Sequence, residues 1–532
     1  MRWLTAVTFL PLAGAIIALL VPARALNLHR WWALLVTLAT FGVSVGVLAS
    51  YSTNAPGFQL VERAAWVRSL NFNYILGVDG ISLVMVLMTA FLMPAAILVS
   101  WRIDRQVKYF MVAFLVLETA MIGSFLALDL LLFFLFFEAL LFPMYLIIGG
   151  WGSERRVYAA IKFFLFTMAG SAFLLVAILF LYFKSGSQLG NPTFDFTQLQ
   201  RLSLSVPAAR WLFLGFFVAF AVKVPLFPLH TWLPDAHTEA PTAGSLILAA
   251  VLLKIGAYGL IRFNLGLFPQ ASDSFRVFVS VLALIGIVYG AVVALIQTDV
   301  KRLVAYSSVS HLGFVVLGTF AFTVQGLSGG VLQMVNHGLS TGALFLLVGM
   351  LYERTHTRDL GRMGGLALSM PVLAGVFLFV ALSSMGLPGL NGFVGEFLIL
   401  LGTFIVNKVY AVIAVTAVVL AAIYLLWAYQ RAMHGTFSVP DHRLLPDLNL
   451  REYAILAPIL AGILLIGVFP KPILSRIEPA ATRIVACERP PPQPPVQPQA
   501  GDSRSPPIPR PIAPCGQGGS VVLDAARGGG SP

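Results

Sequence analysis

Long apolar runs alternate with short polar ones along most of the chain, and within the runs no two-residue alternation is kept. A helix needs about 20 residues to cross roughly 30 Å of hydrocarbon. Windows of that kind fall near 3–22, 31–50, 79–100, 109–128, 130–150, 163–183, 211–229, 243–262, 277–297, 303–323, 328–351, 369–390 with a continuation to 406, 409–429 and 453–470. Lipid offers the backbone no hydrogen bonds, so such windows are helices unless short alternating strands close a barrel, and that pattern is missing. The expectation is an all-α, polytopic membrane protein of about 14 transmembrane helices.

The first run, TAVTFLPLAGAIIALLVPARA, has the shape of a secretion signal. A second run begins at Trp31 with no soluble domain between them, so the first reads as helix 1. Basic residues mark alternate loops: Arg24 and Arg30, Arg102 with Arg105 and Lys108, Arg155 and Arg156, Lys301 and Arg302, Arg354 with Arg358 and Arg362, Arg431 with Arg443. All follow odd-numbered helices, which predicts those loops in the cytoplasm and both termini outside. Lys184, Arg201 and Arg210 dissent from one longer loop. Domain organisation follows: a transmembrane unit over 1–475, then a tail over 476–532 that becomes RPPPQPPVQPQAGDSRSPPIPRP and holds too little apolar surface for a core.

Composition agrees with the pattern. With 58% hydrophobic and 11% charged residues and a mean hydropathy of +0.89, a soluble globular chain is excluded. The net charge of +12 is scattered singly between apolar runs rather than gathered into a stripe, so it marks topology and not a nucleic-acid surface. Both cysteines, Cys487 and Cys515, lie in the tail without metal or cluster spacing. No cofactor is expected on this chain.

What changes the picture is where the remaining charges fall. Glu118, Glu138, Lys223, Lys254 and Glu396 each stand alone near the centre of an apolar stretch, and residues 303–351 hold no Asp, Glu, Lys or Arg within their two helices but carry His311 and His337. A charge at that depth costs roughly 2.5–3.5 kcal/mol on insertion scales. Ion pairing that glues helices explains one such residue; a series of acids, lysines and histidines on successive helices fits a proton path, because burial and neighbours move their pKa values toward neutrality. Lys223 then acts as a switch with Glu138 as its partner. Two Pro/Gly interruptions accompany the charges: KVPLFPLHTWLP, with Pro225, Pro228 and Pro234 just past Lys223, and SSMGLPGLNGFVGEF, with Gly386, Pro388, Gly389 and Gly392 ahead of Glu396. Broken helices are tolerated at membrane depth where they line a cavity, and one in each half predicts two inverted repeats broken at helices 7 and 12.

Two other constellations are weaker. Ser307, Ser308 and Ser310 beside His311 lack the acid and oxyanion donors of a hydrolase. His230, His237, Asp235 and Glu239 fit a helix-end hydrogen-bond cluster or a proton entry mouth better than a metal site.

The stretches KVPLFPLHTWLPDAHTEAPTAGS, TDVKRLVAYSSVSHLG and LPGLNGFVGEF resemble the antiporter-like proton-pumping subunits of respiratory complex I, the NADH-quinone oxidoreductase, and their relatives in multisubunit cation/proton antiporters and membrane hydrogenases. The resemblance covers residues 1–475. It implies that Glu138 and Lys223 form an ion pair in the first half, that Lys254 is the central relay, and that His311 and His337 continue to Glu396 in the second half, with Glu118 matching a glutamate of the fourth helix. Glutamate at 396, where most sister subunits carry lysine, implies the redox-driven branch rather than a sodium/proton antiporter. It further implies sister antiporter-like subunits on both sides within the bilayer, a bacterial inner-membrane location, and NADH, flavin and iron–sulfur chemistry held by other chains.

Overall fold

The computed structural model describes residues 2–488. Helices α1 (Trp3–Leu20), α2 (Leu26–Ser50), α3 (Gly80–Val99), α4 (Val107–Leu126), α5 (Leu130–Trp151) and α6 (Arg156–Leu189) lead to a first interrupted crossing, α7 (Val206–Lys223) and α8 (Trp232–Glu239). Then come α9 (Thr242–Leu265), α10 (Pro269–Leu295), α11 (Val300–Phe320) and α12 (Val324–Thr355), followed by a second interrupted crossing, α13 (Pro371–Ser384) and α14 (Asn391–Val406). The helices α15 (Lys408–Met433), α16 (Leu450–Val468) and α17 (Lys471–Glu488) complete the described chain. Among the described residues thirteen helices are long and apolar enough to cross a bilayer. With α13 and α14 counted as one broken crossing there are fourteen, and helices 7 and 12 are the broken ones.

Burial sorts the helices into a core and a shell. Side chains of α3, α4, α9, α11 and α12 are almost all buried, whereas α2, α6, α10, α15 and α16 present exposed aliphatic faces such as Leu35, Phe173, Val176, Val281, Val412 and Leu465. In lipid an exposed apolar face needs no cover, so an all-round apolar composition is compatible with either position. The polar residues therefore locate the core.

Two features lay outside the predicted pattern. An antiparallel hairpin, β1 (Gln59–Val67) and β2 (Phe72–Val78), turns at Asn71 in the left-handed region and occupies the long connection before α3. Its free edge is paired by chain segments from the same face: Leu128 N donates to Ile75 O and Phe196 N to Leu128 O, both at 2.9 Å, while Arg63 pairs with buried Asp195 at 2.9 Å. The second feature corrects the expected domain boundary. Residues 476–488, assigned to the tail by composition, belong to α17, which runs back across α3 and α12; Arg476 O lies so close to Gly80 that a Cβ there would sit 1.7 Å from it. Its buried Ile477, Ala480 and Ala481 anchor a helix whose opposite face stays polar. The Pro-rich stretch from 489 lies outside the described residues.

Candidate functional site

The first interruption sits at Lys223, the last residue of α7. Prolines at 225 and 228 remove backbone donors there, and the indole of fully buried Trp232 supplies a substitute by donating to Val222 O at 2.9 Å. Gly256 of α9 makes room for this turn: a Cβ on it would come within 2.9 Å of Lys223 Cβ and of Phe220 O. Lys223 is 1% exposed and its Nζ has no hydrogen-bond partner; it stands over the rings of Phe137 at 4.9 Å and Phe163 at 5.7 Å. Cation–π attraction thus adds to the charge of Glu138, which acts on the ammonium from beyond direct ion-pair contact. No contact joins the two, and Glu138 Oε1 is itself unpartnered. The physical reason is that Glu138 lies on the half-buried face of α5, one residue beyond the Phe137 ring that meets the ammonium.

Lys254 is held differently. Two π-helical turns, Leu248–Leu252 and Leu260–Leu265, interrupt α9 and bracket it. A π-turn shifts the hydrogen-bond register and leaves a carbonyl available, and Lys254 Nζ donates to Ala249 O at 2.5 Å. The same Nζ donates to Nδ1 of His337 at 2.5 Å. With Nδ1 accepting, a neutral His337 carries its proton on Nε2, an assignment drawn from the network.

The second half continues the file. His311 Nδ1 lies 2.8 Å from Glu396 Oε1, which also accepts from Gln333 Nε2 at 3.0 Å. His311 and His337 have ring centroids 5.9 Å apart, and the Nε2 atoms of both are buried without protein partners. Between them is a cavity of about 10 Å³ lined by both histidines, Gln333, Asn336, Ser340, Ser383 and Gly392, about the space of one water. The second helix break closes around this pocket. Gly386 and Gly389 adopt φ of +79° and +91°, and Asn391 Oδ1 accepts from Ser383 Oγ, Ser340 Oγ and Gly392 N. A Cβ at Gly386 would lie 3.2 Å from Glu396 Oε2, so glycine lets the broken backbone meet the carboxylate.

Lys254, His337, His311 and Glu396 are therefore brought together, each near the middle of its crossing, with Lys223 one packed helix away across Gly256. Glu118 is wholly buried on α4 with neither oxygen partnered, and it joins none of these contacts. His230, His237, Asp235 and Glu239 do not converge: Asp235 pairs with Lys162 at 2.7 Å, Glu239 accepts from Arg155 N, and His237 stacks on Phe345 at 4.5 Å. The described residues hold no metal-ligating group of three or more. Sequence reasoning missed Gln333, Asn336, Ser340, Ser383 and Asn391, which orient the second half, and Tyr424, whose buried hydroxyl lacks a partner. For Gln333, Asn336 and Ser340 the signal is the run QMVNHGLS in α12.

Two broken helices flanking a buried file of lysine, histidine and glutamate define a polytopic membrane protein of the antiporter-like class. Residues 127–421 match the family described as NADH:quinone oxidoreductase/Mrp antiporter, TM. Over 494 residues, 91% of this chain and 96% of the relative, it is 47% identical to "NADH-quinone oxidoreductase subunit M" of Rhodobacter capsulatus, and 42% identical over 484 residues to "NADH-ubiquinone oxidoreductase chain 4" of Marchantia polymorpha. A chain of respiratory complex I from Thermus thermophilus superposes with a TM-score of 0.82 at 34% identity, covering 92% of this chain and all of that one. One of the Mrp complex from Dietzia sp. DQ12-45-1b reaches 0.80 at 20% identity, a likeness of fold. The chain belongs to the family of NADH:quinone oxidoreductase/Mrp antiporter membrane subunits.

Proposed function

We propose that this chain carries protons along the buried file from Lys223 through Lys254, His337 and His311 to Glu396, as a proton-translocating membrane subunit of NADH-quinone oxidoreductase. The observation that carries the reading is the continuity of the contacts from Lys254 to Glu396. Lys254 Nζ reaches His337 Nδ1 at 2.5 Å, both histidines line the one-water space, and His311 Nδ1 meets Glu396 Oε1 at 2.8 Å. From Lys254 to Glu396 each group thus faces the next directly or across the space of one water, the arrangement along which a proton hops by exchange of bonds, while Lys223 joins the file by packing across Gly256. Glu118 and Glu138 stand beside the file as further titratable groups that bias it by their charge. Quinone reduction and its flavin and iron–sulfur centres lie in other subunits, with sister antiporter-like chains on either side in a bacterial inner membrane. The basic loops after odd helices put both termini outside.

The test is proton uptake into vesicles per quinone reduced, on matched amounts of assembled complex. Glu396→Gln keeps shape but cannot titrate and is expected to abolish coupled uptake; Glu396→Asp keeps part of it, and Glu396→Lys partly restores what Gln loses. Wild-type behaviour of the Gln variant would make Glu396 structural.

A further inference from the structure

A second buried polar cluster lies between Lys254 and the face that carries the hairpin. Tyr258, one helical turn past Lys254 on α9, is fully buried; its hydroxyl donates to Phe125 O at 2.9 Å, lies 3.0 Å from Ser82 Oγ and accepts from Arg262 Nε at 3.1 Å. Arg262 Nη2 donates to Asp79 Oδ1 at 2.7 Å and lies 3.4 Å from Ser82 Oγ. Asp79 is the N-cap of α3, its Oδ1 also accepting Ser82 N at 3.0 Å. Arg262 and Asp79 are 5% and 2% exposed, yet both form part of the wall of a cavity of about 330 Å³ on the hairpin face, between the hairpin, the α6–α7 connection and α17. Its other cationic walls are Arg63, Arg201 and Arg483.

A helix cap and an ion pair account for Asp79 holding α3 against α9. They do not account for a fully buried hydroxyl between that pair and the turn carrying Lys254, nor for a water-sized space that reaches the pair from outside. We propose that Tyr258, Ser82 and Asp79 form a proton path that leaves the buried file at Lys254 and reaches the hairpin face through this cavity. The inference rests on the proposed role of Lys254.

The steps balance as follows. Lys254 ammonium releases one proton and becomes an amine. The one-turn step to Tyr258 is not a hydrogen bond in this structure, so a water carries the proton across it. The Tyr258 oxygen takes that proton and passes its own to Ser82 Oγ; Ser82 Oγ makes no hydrogen bond to the Asp79 carboxylate in this structure, although both accept from Arg262 Nη2, so a second water carries the proton between them. Cavity water then receives the proton as hydronium. Arginine does not titrate, and its fixed charge beside Asp79 favours the ionised carboxylate, so a proton arriving there is released rather than trapped.

The experiment compares Lys254→Ala, Tyr258→Phe, Asp79→Asn and Asp79→Glu in the full assembled complex, reading NADH-driven quinone reduction and proton uptake together. Tyr258→Phe and Asp79→Asn are expected to lower coupled turnover about a hundredfold, the lower end of what a positioned proton-transfer group contributes. Asp79→Glu, which restores a carboxylate, recovers most of it. If Asp79→Asn fails to assemble, Tyr258→Phe, which keeps the ring packing, decides. Normal turnover in Tyr258→Phe with a dead Lys254→Ala overturns this path and leaves the file intact; normal turnover in Lys254→Ala overturns both.

Discussion

Lys223 and Lys254 show how two buried ammonium groups are held by unlike means. Lys254 has a carbonyl and an imidazole, whereas Lys223 has two aromatic faces in contact and the charge of Glu138 at a distance. Ring faces stabilise a cation by about 2 kcal/mol when desolvated, less than a buried hydrogen-bonded pair, so Lys223 gives up its proton at little structural cost. The distinction predicts that Lys223→Arg, which keeps the charge over the rings but cannot deprotonate, assembles normally yet loses coupled turnover as fully as Lys223→Ala. Parallel assays of quinone reduction and proton uptake check this; an active Arg variant would mean that charge alone suffices. Glu118, Glu138, Lys223, Lys254 and Glu396 are legible as lone charges in apolar runs, and His311 and His337 as titratable groups in helices without Asp, Glu, Lys or Arg. Their neutral partners are not, since Gln333, Asn336 and Ser340 look like the small polar residues that pack membrane helices anywhere. Sequence also leaves the distance between Glu138 and Lys223 open: the two charges act on each other without direct contact, because sequence gives the crossing on which a charge lies but not the face to which it turns.

At the scale of elements, prolines and glycines mark both helix breaks, while the hairpin leaves no mark on the hydrophobic windows because its strands lie in a connection that crosses nothing. The hairpin and its neighbouring loops hold Asp129, the N-cap of α5, which accepts from Leu131, Leu132 and Asn73 backbone N–H groups. Burial lifts its carboxyl and nearby Asp195 adds to this; the backbone donors only partly oppose them, leaving it at about 7. An acid whose folded pKa is raised binds its proton more tightly in the native state, so its contribution to stability falls as pH rises from about 4 to about 7 and is constant above. Asp129→Asn keeps a capping acceptor without the charge. Its thermal stability relative to wild type in detergent is expected to grow across that window, by at most roughly 4 kcal/mol at 1.36 kcal/mol per unit. A difference that does not vary between pH 5 and 8 would show Asp129 already ionised throughout.

For the whole molecule, hydrophobic windows were sufficient to set the number of crossings, because lipid allows few alternatives. They are blind to α17, whose apolar content is too low to span and whose buried face is defined by its packing on α3, α10 and α12. That difference gives a paired prediction. Truncation after Glu488 leaves assembly and activity at wild-type level, whereas truncation after Lys471 removes the buried Ile477, Ala480 and Ala481 and lowers the yield of assembled complex several-fold. Blue-native electrophoresis with quinone-reductase activity distinguishes the two; equal yields would make α17 dispensable.

Because Lys223, Lys254, His337 and His311 each sit near the middle of a crossing, displacement of a proton along the file is lateral and spans almost none of the transmembrane voltage. An elementary charge taken through the full field meets about 2.3 kcal/mol per 100 mV. Nearly all of that electrical work falls on the vertical legs that join the file to either surface. A membrane potential therefore leaves the relay itself almost unopposed and throttles the mouths, so that respiratory back-pressure is felt first at the entrances and exits of this subunit.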